Sequence, residues 1–91
     1  MNFCVEADSD GYYTLKVLTN MFNNVGMRRW VPLRRFYLQG DAFLYRDCYA
    51  PKMEERHIKM MHAVYDPSKL YGQNRQGTWH VTHHIDKPQS R

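Results

Sequence analysis

Four strand-like and two helix-like segments in the order β-α-β-β-α-β predict an α+β fold. The arrangement is ferredoxin-like (split βαβ): a four-stranded antiparallel sheet with two helices on one face. Three observations carry the prediction. Apolar residues alternate at period two near both ends of the chain, recur at three and four after Tyr12 and after Pro51, and are separated by clusters of turn residues. The 91 residues suffice for one domain core, placed at 1–86, followed by a polar tail or linker at 87–91.

The elements follow in order. Residues 2 to 7 (NFCVEA) read as a half-buried strand that stops at Asp8, Ser9, Asp10 and Gly11. Leu15, Leu18 and Phe22 then recur at helical spacing, Asp10 can cap the start, and Asn23, Asn24, Val25 and Gly26 form a stop, so a helix is predicted over 11–24. Segments 27–38 and 42–48, rich in aromatic and branched residues, flank the Gln39-Gly40-Asp41 turn and predict a β-hairpin. Pro32 has no backbone donor, which suits an edge strand, and the usual 4-1-3-2 order of this arrangement puts the second strand at an edge. Pro51 opens the second helix, Glu54 and Glu55 lie near its positive end, and Ile58, Met61 and Tyr65 line its inner face. Asp66, Pro67 and Ser68 end it. A polar connection with room for a short turn or hairpin runs to Gly77, and 79 to 85 is the last strand.

Composition narrows the function. With 43% hydrophobic and 14% aromatic residues the chain is too apolar to be disordered, yet no apolar run approaches the roughly 20 residues of a membrane span. No basic-then-apolar leader opens the sequence, so neither a membrane protein nor an exported one is expected. The net charge of +4 is concentrated in residues 27–46, where Arg28, Arg29, Arg34, Arg35 and Arg46 are interleaved with Trp30, Phe36, Tyr37, Phe43 and Tyr45. Arginine among aromatics suits a surface that pairs with phosphates and stacks on bases, although an Arg-rich face that only confers solubility has the same composition. Cys4 and Cys48 lack metal-ligand spacing and read as reduced thiols, which fits a nuclear or cytoplasmic protein.

Segment 39–46, QGDAFLYR, compares with the octamer K/R-G-F/Y-G/A-F-V-x-F/Y through Gly40, Ala42, Phe43 and Leu44, and departs from it at Gln39, Asp41 and Arg46. Residues 21–26, MFNNVG, look like a Phe-x-x-x-Gly helix ending. On these residues the chain resembles the RNA-recognition motif, and NRQGTWHVT at 74–82 looks similar to the RNA-binding domain of nuclear mRNA-export receptors. The resemblance implies binding of single-stranded RNA on an open sheet face, in a module of mRNA transport.

Alternation assigns that face. Ala42 and Leu44 point inward and Phe43 and Tyr45 outward; Trp79, Val81 and Ile85 point inward and His80, Thr82 and His84 outward. The candidate set is therefore Arg28, Arg29, Arg34 and Arg35 on phosphates, Phe43 and Tyr45 for stacking, His80, Thr82 and His84 for base edges, and Tyr37 as a further nucleic-acid-binding residue. No metal or cofactor is expected: His57 and His62 are roughly 140° apart around a helix, and His80 and His84 alone would hold a metal weakly. Two further readings stand beside RNA binding. One is a protein-binding module that uses its helical faces or Trp30 and Tyr37. The other is a small basic ribonuclease that uses His80 or His84 with Arg35 or Tyr45.

Overall fold

The Asp8-Ser9-Asp10-Gly11 stretch closes a hairpin instead of capping a helix. Gly11 adopts φ 93°, a conformation that glycine takes without steric cost. Its amide donates to the Asp8 carbonyl (3.0 Å), and the Asp8 amide donates to the Tyr12 carbonyl (2.7 Å). This turn joins β1 (Asn2–Ala7) to the antiparallel β2 (Tyr13–Thr19). The structure, a computed structural model, describes residues 2–19 and 29–85, with Thr19 described by its backbone alone. The helix expected over 11–24 is thus a strand as far as Thr19, and residues 20–24 lie outside the described residues. Tyr13, Leu15 and Val17 also alternate at period two, and pairing with β1 buries Leu15 and Val17 completely.

β3 (Arg29–Phe36) pairs antiparallel with β2, with Leu18 opposite Trp30 and Tyr13 opposite Phe36. On its other side it meets β4 (Lys69–Gln73) in parallel, through Arg35–Leu70 and Phe36–Tyr71. β5 (Trp79–His84) pairs antiparallel with β4. The α+β class stands, but the sheet is five-stranded and mixed, in the order β1-β2-β3-β4-β5, where a four-stranded antiparallel one was expected. Along the chain the order is β-β-β-α-α-β-β in place of β-α-β-β-α-β. The connection expected before Gly77 holds β4 and a turn at 74–78, in which the Asn74 side chain accepts from the amides of Gln76 and Thr78.

The second strand of the expected hairpin is helical. α1 (Gln39–Leu44) runs into a π turn (Tyr45–Tyr49) and a 3-10 turn (Ala50–Lys52). Ala42, Tyr45 and Ala50 are buried at spacings of three and five, the wider step being the π turn, where the Ala50 amide donates to the Tyr45 carbonyl. Pro51 sits in the 3-10 turn, and α2 (Glu55–Ala63) starts four residues later. Its Ile58 and Met61 enter the core as expected, while Tyr65 lies half-buried past its end. The core lies between these helices and one face of the sheet, with Leu15, Val17, Val31, Leu33 and Phe36 against Ala42, Tyr45, Ala50, Ile58 and Met61.

Pro32 sits in the middle strand of the five, yet locally it is at an edge. β4 meets only the last two residues of β3, so no strand lies beside Pro32 on that side. His62 covers it there: its Nδ1 lies 3.0 Å from the Pro32 carbonyl, and because a carbonyl only accepts, that nitrogen carries the proton.

Candidate nucleic-acid interface

Phe36 faces the helices, so by alternation Arg35 and Tyr37 face the other side of the sheet. There Arg35 is buried and fully engaged. Its Nε donates to Asp8 Oδ2 (2.9 Å), Nη2 to Asp10 Oδ1 (2.7 Å) and Nη1 to the Pro67 carbonyl (2.7 Å). Thr14, opposite Arg35 in register, donates its hydroxyl to Asp8 (2.8 Å). Burial opposes the Arg35 charge, but the hydrogen bonds and charges of Asp10 and Asp8 outweigh it and hold the guanidinium pKa above its ordinary value. This side chain ties the β1–β2 turn and the α2–β4 loop to β3. It is not free for phosphate, which corrects the role expected for it.

Beside this clasp lies a column of rings. Tyr12 stacks on Tyr37 (centroids 5.8 Å), and Tyr37 stacks on His83 (3.7 Å, rings 12° from parallel). Tyr37 is 39% exposed, and His83 is exposed. Strict alternation from Val81 would have turned His83 toward the core. A register shift between Leu70 and Tyr71 leaves Thr82 as the extra residue, so His83 pairs with Leu70 and joins Tyr37. Alternation selects His80, Thr82 and His84 and passes over His83, because nothing in a single strand reports a bulge set by its partner. Gly72 accommodates this bulge: a Cβ there would lie 2.9 Å from Thr82 Cγ2.

Of the expected set, the structure brings Tyr37 and the β5 residues to one end of the sheet, with His80, Thr82 and His84 exposed. Arg29 is exposed at the far end of β3, next to Trp30, and Arg28 lies outside the described residues. Phe43 and Tyr45 are not on the sheet. Phe43 lies exposed on α1 with the Arg46 guanidinium 4.7 Å from its ring centre. Tyr45 is buried, its ring tilted against Phe36 and edge-to-face with Trp79, and burial pushes its phenol pKa up. Arg34 lies 4.1 Å over the Tyr71 ring and 5.4 Å from that of Tyr45, so it packs on the helical side.

The helical side carries a separate feature. An open groove of about 890 Å³ runs between the π turn and the start of α2, lined by Leu44, Cys48, Tyr49, Met53, Lys52 and His57 among others. Among the described residues no three His, Cys, Asp or Glu side chains converge to hold a metal, and both cysteines are free thiols. The chain matches no protein-family model, no curated protein and no solved structure.

Proposed function

We propose that the chain is a non-enzymatic module that binds single-stranded RNA on the sheet face opposite the helices, with bases stacking at the Tyr37–His83 pair. The observation that carries this reading is the exposed, parallel stack itself. Two aromatic rings held face to face at a solvated sheet end extend naturally by one more ring, and base–aromatic stacking is worth about 1–3 kcal/mol per base. The net charge of +4 favours a polyanion. The octamer behind the RNA-recognition resemblance lies on α1 and the π turn and not on a strand, so the contact residues of this reading are Tyr37 and His83 in place of Phe43. Two free thiols suit a reducing nuclear or cytoplasmic setting. No described helix is long and apolar enough to cross a membrane.

A second reading, protein binding, is favoured by the exposed Leu38, Phe43, Leu44 and Tyr49 along α1 and the π turn. Salt separates the two. Fluorescence anisotropy of labelled RNA oligomers is expected to show micromolar or tighter binding at about 50 mM salt that weakens strongly by about 200 mM. Absence of binding at the lower salt overturns the RNA reading and leaves the apolar face of α1 as the functional surface.

A further inference from the structure

The chain is basic, but the surroundings of the Tyr37–His83 stack are not. Residues paired across strands share a face, so Arg35, Leu70 and His83 lie on one side of the sheet with Gly72 and His80, while His84 and its partner Lys69 turn to the other. Arg35 is the guanidinium at this end of that face, and it is held by Asp8 and Asp10. A third carboxylate reaches in from α1: Asp41 Oδ2 and Thr82 Oγ1 lie 3.4 and 3.5 Å from the point that a Cβ on Gly72 would occupy. Behind Tyr37 stands the Tyr12 phenol, and Asp66 of the α2–β4 loop accepts from Ser68. While the imidazoles are neutral, Asp8, Asp10 and Asp41 therefore outnumber Arg35 around the stack, and a phosphate approaching it is repelled.

Charging His83 offsets one of these carboxylates, and its contacts suit the charged ring. In an imidazolium Nδ1 is a donor, so it donates to Thr82 Oγ1 (3.0 Å) while that hydroxyl donates to the Leu70 carbonyl (3.3 Å), and no group has to move. Tyr37 lies parallel to the ring with centroids 3.7 Å apart and offers its π face to the cation. Resting on the RNA-binding reading, we infer that His83 binds RNA as the imidazolium, taking up a proton from solvent as the phosphates arrive, so that binding tightens as pH falls through the range in which imidazole charges. A stacked base and a phosphate beside it both favour the charged ring, and by linkage the charged ring favours RNA by the same factor.

Anisotropy of labelled oligo-uridine, whose bases keep one protonation state over this range, is read at about pH 5.5 and about pH 7.5 for the wild type, H83F and the double variant H80Q/H84Q, at about 50 mM salt and with each fold checked by circular dichroism. The wild type and H80Q/H84Q are expected to bind roughly 3- to 10-fold more tightly at the lower pH, the worth of one exposed cationic contact. H83F keeps a stacking ring that cannot charge, and its two affinities are expected to agree within about 2-fold. Calorimetry of the wild type in two buffers of different ionisation enthalpy reads the proton without any substitution, and uptake on binding is expected. Wild-type affinity that does not change with pH, binding without proton uptake, or a pH dependence that persists in H83F overturns the role of His83 and leaves the RNA reading in place. No binding at either pH overturns that reading and the inference together.

Discussion

Arg35 Nη2 and Asp10 Oδ1 lie 2.7 Å apart, joining the middle strand of the sheet to the turn between its first two strands. The same nitrogen is 2.8 Å from Asp8 Oδ2, so one guanidinium bridges two carboxylates from a four-residue turn. The Arg35 side chain is 9% exposed, Asp8 22% and Asp10 49%, so the pair is buried at the strand and solvated at the turn. The Tyr12–Tyr37–His83 rings sit beside this clasp, since Tyr12 follows Asp10 by two residues and Tyr37 follows Arg35 by two.

Removing the guanidinium leaves Asp8 part-buried without its partner. Breaking a fully buried pair costs about 3–5 kcal/mol, and the exposure of Asp10 lowers the expectation for Arg35→Ala to about 2–4 kcal/mol. Urea unfolding measures it. A loss below about 1 kcal/mol would show that the clasp does not hold the turn.

The same contact sets an acid dependence. The hydrogen bond from Arg35 holds the Asp10 carboxyl below its ordinary value of 3.8. A carboxyl with a lowered folded-state pKa contributes stability that is fully present well above the unfolded value and is lost as pH falls through the folded one. Stability is therefore expected to decline below about pH 4, with a shallower slope in Asp10→Asn. Parallel slopes in the two proteins would contradict the assignment.

Phe43 separates this account from one in which residues 39–46 form a sheet strand. On α1 it is 37% exposed and touched by Arg46. Phe43→Ala is expected to change RNA affinity and stability by no more than about 0.5 kcal/mol, as for an ordinary surface position. A loss of about 1–3 kcal/mol in affinity would instead place a stacked base on Phe43.

Gly72 tests the bulge. An added methyl would lie 2.9 Å from Thr82 Cγ2, inside any real contact, and Thr82 cannot yield without releasing the Leu70 carbonyl. Gly72→Ala is expected to destabilise by about 1–3 kcal/mol and to weaken RNA binding by disturbing His83. Unchanged stability would show that the bulge yields freely.

Much of the strand pattern was legible in the sequence, and the pairing was not. Phe3 and Val5, then Trp79 and Val81, alternate in short segments with clear turn boundaries, and the inward face of α2 follows from Ile58 and Met61. Residues 13–19 fit two periods at once: Leu15 and Leu18 suit a helix, while Tyr13, Leu15 and Val17 suit a strand. The outcome was decided by β1, which offered a partner through the Gly11 turn. In 42–48 the aromatic content suggests a strand, whereas the spacing of Ala42, Tyr45 and Ala50 includes a π turn that no regular period contains. The candidate site was half legible. Tyr37 and the β5 histidine cluster were identified, but His83 depends on a register shift and the engagement of Arg35 depends on carboxylates more than twenty residues away.

The affinity of Tyr37→Ala for a single-stranded RNA oligomer at about 50 mM salt, with the fold checked by circular dichroism, decides whether RNA stacks at the Tyr37–His83 pair. A folded protein whose affinity falls by about 1–3 kcal/mol, the worth of one stacked base, is expected. A folded Tyr37→Ala protein that binds RNA as tightly as the wild type would contradict it.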